Sequence, residues 1–246
     1  MAEIKNIQQL PEFVRNDVHR YVEQIISIHQ DNILSISVYG SAASGNYVPT
    51  VSDINLMVVV KKLDFEVLKS SLHLVKQGQK KKITAPLFLT REYMARSLDV
   101  FPIEFLDMKE QHILLYGQDI LGELVIDGSN LRIFCEQQLK GKLLRIRQAY
   151  LECGLAADTK ERLLHDSVKA LIPIFGNLLR LRGKNFSGSR IAIFKSLGEE
   201  FKLDLSSLEK INQSRMNHQK MTSEQVDGLF IELIAKLEQL IDLVDT

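Results

Sequence analysis

The chain has no tryptophan, only two cysteines, five prolines and no net charge, since thirty-one basic residues are matched by thirty-one acidic ones. Each shortage excludes something. Without a net positive field, nothing pulls the whole molecule toward a nucleic-acid polymer or an anionic membrane, so a long nucleic acid is not an expected partner. No apolar run approaches the roughly 20 residues that a membrane-spanning helix requires. The start, "MAEIKNIQQLPEF", lacks the apolar core of a secretory leader. Cys135 and Cys153 fall in one expected helix, about 27 Å apart along its axis, so they cannot bridge each other. The expectation is a cytoplasmic protein with buried thiols and no membrane contact.

At 246 residues there is room for one large domain or two ordinary ones. The first half changes period repeatedly. Val14, Val18, Tyr21, Ile25 and Ile28 recur at helical spacing after Pro11, which suits a first helical turn. Leu34, Ile36 and Val38 alternate with polar neighbours as in a half-buried strand, and "INLMVVV" reads as a central strand covered on both faces. A helix is expected from Asp64 to about Gly78. "KITAPLFLT" and "VFPIEFLDM" read as two further strands, with a short helical turn from Thr90 to Ser97 between them.

From about Ser129 the strand signal ends. Ser129 is expected to cap a helix running to Gly154, and "DTKE" at Asp158 to Glu161 resembles a capping box. It opens an apolar helix that carries Pro173 and stops at Gly183. Ser189 and Asp204 can begin two shorter helices. "TSEQ" at Thr222 to Gln225 is a second capping box, opening a last helix whose apolar seam runs from Val226 to Val244. The organisation is therefore α+β: a mixed β-sheet flanked by helices over residues 1–124, then an all-α helical bundle over 125–246. The apolar last helix could also serve a homodimer or a protein partner, although a bundle core accounts for it equally well.

The informative stretch is "VYGSAASGNYVPTVSDINLMVVV", from Val38 to Val60. Gly40-Ser41 directly follows a strand, where a glycine lets backbone N–H groups and a serine hydroxyl approach an anion closely. Asp53 and Asn55 share strand parity, so both leave the same face, and two oxygen donors so placed can grip a hard cation such as magnesium. Glu104, between Ile103 and Phe105, reads as an acid in an apolar strand, which is costly without a compensating cation or partner. It is the candidate third oxygen ligand. Asp107 is a weaker candidate because, read as strand, it has the opposite parity.

Gly-Ser, eleven residues, Asp-x-Asn, a hydrophobic strand and a later acid resemble the signature of polymerase-β-like nucleotidyltransferases. "YGSAASG…SDINLMVVV" is similar to their small-molecule and toxin–antitoxin branches, including the aminoglycoside nucleotidyltransferases, over roughly residues 30 to 108. The resemblance implies a nucleotidyltransferase core followed by a helical domain, and transfer of an NMP from an NTP, such as ATP, to a hydroxyl of a small molecule or protein. It further implies that Gly40 and Ser41 hold the triphosphate, that Asp53 ligates Mg2+ or Mn2+, and that Glu104 is the third acid or the base. Asn55 stands where the family usually has a second acid. One unit charge missing at ~4 Å from a cation corresponds to about 4 kcal/mol at an effective dielectric of 20. If lost only in the transition state, that slows chemistry roughly a thousandfold. The alternative reading is a catalytically degenerate protein that binds nucleotide or regulates a partner.

Other features read more plainly. "KQGQKKK" at Lys76 to Lys82 suits a solvated helix end. Arg180, Arg182, Lys184 and Arg190 surround the loop "RLRGKNFSGSR" and suit a solvated helix terminus, though they could reach an anion. The six histidines show no paired zinc spacing and no phosphate-binding Gly-x4-Gly-Lys motif occurs. Arg215 and His218 stand too close together for an Arg-x4–6-His nuclease motif.

Overall fold

The structure, a computed structural model, describes residues 3–49, 52–184, 189–216 and 220–245. The chain divides into two compact units, Met1–Asp127 and Gly128–Thr246. The first is built on a four-stranded mixed sheet and the second from helices alone, among the described residues.

In the first unit, α1 (Glu12–His29) follows Pro11 and buries Val14, Val18, Tyr21 and Ile25 of the expected helical stripe together with Val22, whereas Ile28, expected in the same stripe, is exposed. Strands β1 (Ile33–Tyr39) and β2 (Asn55–Val60) pair antiparallel, with Tyr39 opposite Asn55. Helix α2 (Phe65–Gln79) is capped by Asp64, whose carboxylate accepts from the Val67 amide at 3.1 Å, and it returns the chain so that β3 (Leu87–Thr90) lies parallel to β2. Only the end of "KITAPLFLT" is strand. Ile83 makes a single bridge to Ile54, and Pro86, without an N–H to donate, precedes β3 at the sheet's edge.

Helix α3 (Arg91–Ser97) begins at Thr90, which accepts from the Tyr93 amide. The next segment departs from expectation. "VFPIEFLDM" is not a strand: Pro102–Glu110 forms helix α4, with Pro102 at its first turn, where a missing N–H costs nothing. Pro102 and Phe105, three apart, are buried on one side, while Glu104 is exposed. The fourth strand, β4 (His112–Gly117), comes instead from "HILLYG" and pairs antiparallel with β1, giving the order β3-β2-β1-β4. Its outer edge is covered by the start of the chain: the Lys5 amide donates to the Leu115 carbonyl at 2.7 Å and the Asn6 amide side chain to the Leu114 carbonyl at 3.0 Å.

Alternation along β2 divides the core into two layers. Ile54, Leu56, Val58 and Val60 join Ile36, Val38 and the buried stripe of α1. Met57 and Val59 face the other way, onto Leu89, Met94, Phe105, Ile120 and Leu121. Asn55 has the parity of Met57 and Val59, so it belongs to the face that α4 covers.

The second unit comprises α5 (Gly128–Cys153), α6 (Ala157–Leu181), α7 (Arg190–Phe201), α8 (Ser206–Met216) and α9 (Ser223–Asp245). Helix α6 lies against the other four, and its wide buried arc, from Leu164 through Phe175 to Leu179, fits that central place. It continues through Pro173. Two helix starts differ from expectation: α5 starts at Gly128, one residue before Ser129, and α6 starts at Ala157, before the "DTKE" box, with no side-chain cap bond from Ala156. The capping box of α9 is present in both directions, the Gln225 amide donating to Thr222 and the Thr222 amide to Gln225. Lys160, 6% exposed, ties three helices together through Asp227 at 2.9 Å and the Tyr150 hydroxyl at 3.1 Å. Cys135 and Cys153 are both free thiols in α5. Among the described residues no helix is long and apolar enough to cross a membrane.

Candidate functional site

At the end of β1 the chain enters a tight turn at Gly40–Ala42. Gly40 has φ +75°, a left-handed conformation that a side chain resists. Its carbonyl accepts from the amides of Ala43 and Ser44, each at 3.0 Å, and the Ser41 carbonyl accepts from the Asn46 amide at 3.2 Å. These bonds hold the turn while the N–H groups at its start have no partner within it. The loop onward is pinned on its far side: Tyr47 lies 5.6 Å from the Phe13 ring, the Val48 amide donates to the Ser52 hydroxyl at 3.0 Å, and the Lys82 ammonium donates to the Pro49 carbonyl at 2.9 Å.

The turn forms one wall of a 510 Å³ cleft, lined by Tyr39, Gly40, Ser41, Ser44 and Asn46 on the turn side and by Glu104, Asp107, Met108 and Gln111 on the α4 side. Because α4 is a helix, Glu104 and Asp107 stand three residues apart on one face and both reach the cleft. Strand parity, which had set Asp107 aside, does not apply to it. The signal in the sequence was Pro102, which marks a helix start as readily as a strand end. Glu104 is exposed, so the burial cost expected of an acid in an apolar strand does not exist. Tyr39, which lines the cleft, has its phenol pushed above its usual value by burial.

Asn55 emerges beside the turn. Its amide nitrogen lies 3.2 Å from where a Cβ on Gly40 would stand. Its Oδ1 accepts from the Thr84 hydroxyl at 3.1 Å, and that hydroxyl also lies 3.2 Å from the Ile54 carbonyl. Thr84 is itself fixed, its amide donating to the Ile54 carbonyl at 3.0 Å. Asp53 is exposed and is not among the residues lining the cleft. Its charge falls instead on Tyr47, whose phenol is pushed upward by burial first and by Asp53 second.

The structure thus brings Gly40, Ser41 and Glu104 to one cleft, adds Asp107, sets Asn55 against the turn and leaves Asp53 beside Tyr47. Among the described residues no three histidine, cysteine or carboxylate side chains converge to hold a metal ion. Of the donor set expected, Asp53 and Glu104 supply carboxylates, and Asn55 supplies an amide oxygen that accepts from Thr84 on one of its two lone pairs. The basic loop of the second unit is engaged locally: Arg180 donates to Asn177 at 3.0 Å, Arg182 lies 5.1 Å from the centre of the Phe201 ring, and Lys184 pairs with Glu200 at 3.6 Å. Residues 185–188 and His218 lie outside the described residues.

The chain is thus a mixed sheet flanked by helices, joined to a helical bundle, with a Gly-Ser cleft in the first unit. Two solved structures are similar to it. One is spectinomycin adenyltransferase AAD(9) from Enterococcus faecialis, with ATP and spectinomycin; it has a TM-score of 0.49 and 15% identity over 91% of this chain and 99% of that one. The other is a nucleotidyltransferase-like protein from Exiguobacterium sibiricum 255-15, with a TM-score of 0.47 and 10% identity over 92% of this chain and 74% of that one. Likeness at this level assigns no activity and no residue role. No protein-family model and no curated protein matches the chain.

Proposed function

We propose that the chain is a nucleotidyltransferase-like protein of the polymerase-β kind, which seats a nucleoside triphosphate against the Gly40–Ser41 turn and passes its NMP to a hydroxyl of a small molecule or protein. The observation that supports this is a single cleft bounded by a glycine–serine turn on one side and by the carboxylates of Glu104 and Asp107 on the other. The acceptor oxygen attacks the α-phosphorus. As the new P–O bond forms, the α–β bridging P–O bond breaks and pyrophosphate leaves with its electron pair. The acceptor proton passes to a carboxylate, and Glu104 and Asp107 are the acids that line the cleft. Magnesium or manganese enters with ATP as part of the substrate.

The test is incubation with α-labelled ATP, magnesium and a panel of hydroxyl acceptors, beside calorimetric titration of the four NTPs. Label should reach an acceptor and be lost in Glu104→Gln. Failure of every NTP to bind ends the reading. If Asp53→Ala transfers as much label as wild type, Asp53 has no part in the site. A second reading, nucleotide binding without turnover, is favoured by Asn55 and by the lack of a three-acid group among the described residues. Firm NTP binding with no label in any acceptor would select it.

A further inference from the structure

Asn55 occupies the position where a second acid is expected, and a degraded metal ligand would be the simplest account of it. The geometry points elsewhere. We propose that Asn55 is a phosphate-binding donor, held in place by Thr84, and that this chain meets the negative charge of a nucleoside triphosphate with an amide N–H where a carboxylate would repel it. The inference rests on the nucleotide reading above and assigns one residue to binding and another to positioning.

Three observations carry it. The Thr84 hydroxyl lies 3.1 Å from Asn55 Oδ1 and donates to that end of the amide. The other end of the same amide, Nδ2, lies beside Gly40, at 3.2 Å from an ideal Cβ, so the donor end of Asn55 lies against the turn, although Asn55, like Asp53, is not itself among the residues lining the cleft. Thr84 is no loose partner. Its backbone and hydroxyl both engage the Ile54 carbonyl, and Ile83 bridges Ile54, so the 82–84 segment is laced to the start of β2. Free rotation of a surface asparagine would let it present either end. Here Oδ1 faces the Thr84 hydroxyl and Nδ2 faces the turn.

The charge logic agrees. An aspartate at this point would add a negative charge beside a polyanion and would need a cation to offset it. An amide donor needs none. A hydrogen bond to a charged partner is worth about 10- to 100-fold in affinity when removed.

The experiment is calorimetric titration of MgATP, with inorganic tripolyphosphate as competitor, against wild type, Asn55→Asp, Asn55→Leu, Thr84→Val and Thr84→Ser, each checked for an unchanged thermal transition. Asn55→Asp and Asn55→Leu should weaken MgATP about 10- to 100-fold and tripolyphosphate in parallel. Thr84→Val should weaken both by about 3- to 10-fold, and Thr84→Ser, which keeps the hydroxyl, should restore them. Adenosine, which has no phosphate, should bind all five alike; a merely structural lesion would lower it too. Tighter or unchanged MgATP binding by Asn55→Asp overturns the proposal and marks Asn55 as a metal position. Wild-type affinity in Thr84→Val removes Thr84 from the role. A wild-type chain that binds neither MgATP nor tripolyphosphate overturns the nucleotide reading itself.

Discussion

Gly40 and Gly45 offer a paired experiment on the site. Both have a left-handed φ, +75° and +76°, and they lie five residues apart in the segment that joins β1 to β2. Alanine at either position is forced into a left-handed conformation that costs roughly 1–2 kcal/mol. They differ in what the new methyl meets. At Gly45 there is nothing within 4 Å among the described residues, whereas at Gly40 the methyl stands 3.2 Å from Asn55 Nδ2. A comfortable contact is about 3.5–4.0 Å, so the amide must retreat by a few tenths of an ångström. It can do so only by lengthening or bending its 3.1 Å bond to Thr84. Both variants should therefore lose roughly 1–2 kcal/mol of stability, read by urea unfolding followed by circular dichroism. Only Gly40→Ala should also lose nucleotide affinity, by about 10-fold or more, as expected when a charge-assisted bond is disturbed. Equal ATP affinity in the two variants would refute the reasoning, because the backbone strain they share would then be all that the substitution does.

Other outcomes rest on the packing. Tyr21 is 4% exposed and its hydroxyl has no hydrogen-bond partner among the described residues, so Tyr21→Phe should raise stability by up to about 1 kcal/mol; a loss instead would show that the hydroxyl is bonded in solution. Phe175 is buried in the helical unit with its ring 6.3 Å from that of Phe194, and Phe175→Ala should cost about 3–5 kcal/mol in denaturant unfolding, with Phe175→Leu costing clearly less. Burial lowers His29 and His165 below the usual histidine value, so the unfolded chain binds more protons under acid; stability should hold above pH ~6.5 and fall as pH drops through it. Burial also pushes Cys135 and Tyr21 up to about 12. The folded chain then keeps protons that the unfolded one releases, so stability should fall again above pH ~9. A melting temperature that stays level from pH 7 to pH 5 would contradict the acid limb.

The parts of the fold with one strong period were legible in the sequence. The stripe of α1 and the unbroken apolar run of β2 each allow one reading, and the capping box of α9 carries its own hydrogen bonds. "VFPIEFLDM" admitted two readings, since Phe101, Ile103 and Phe105 alternate while Pro102 and Phe105 lie a helical step apart. Packing of Phe105 beneath the sheet, together with the competing "HILLYG" segment that pairs with β1, decides for the helix, and neither fact is local. The site divides in the same way. Gly40, Ser41 and Asn55 stand out within one short stretch. The orientation of Asn55 depends on Thr84, 29 residues away, and the entry of Asp107 depends on α4 being helical. Local chemistry named the turn, but long-range contacts decide which atoms face it.

The two hydrogen bonds that Lys5 and Asn6 make to β4 reach beyond local order. An uncovered outer strand is a template on which another molecule can dock and propagate. Here that template is already taken by the chain's own beginning, while the opposite border is only four residues long and is entered through Pro86. A version lacking its first six residues should therefore reveal itself by self-association that grows with concentration, even where its melting point scarcely moves.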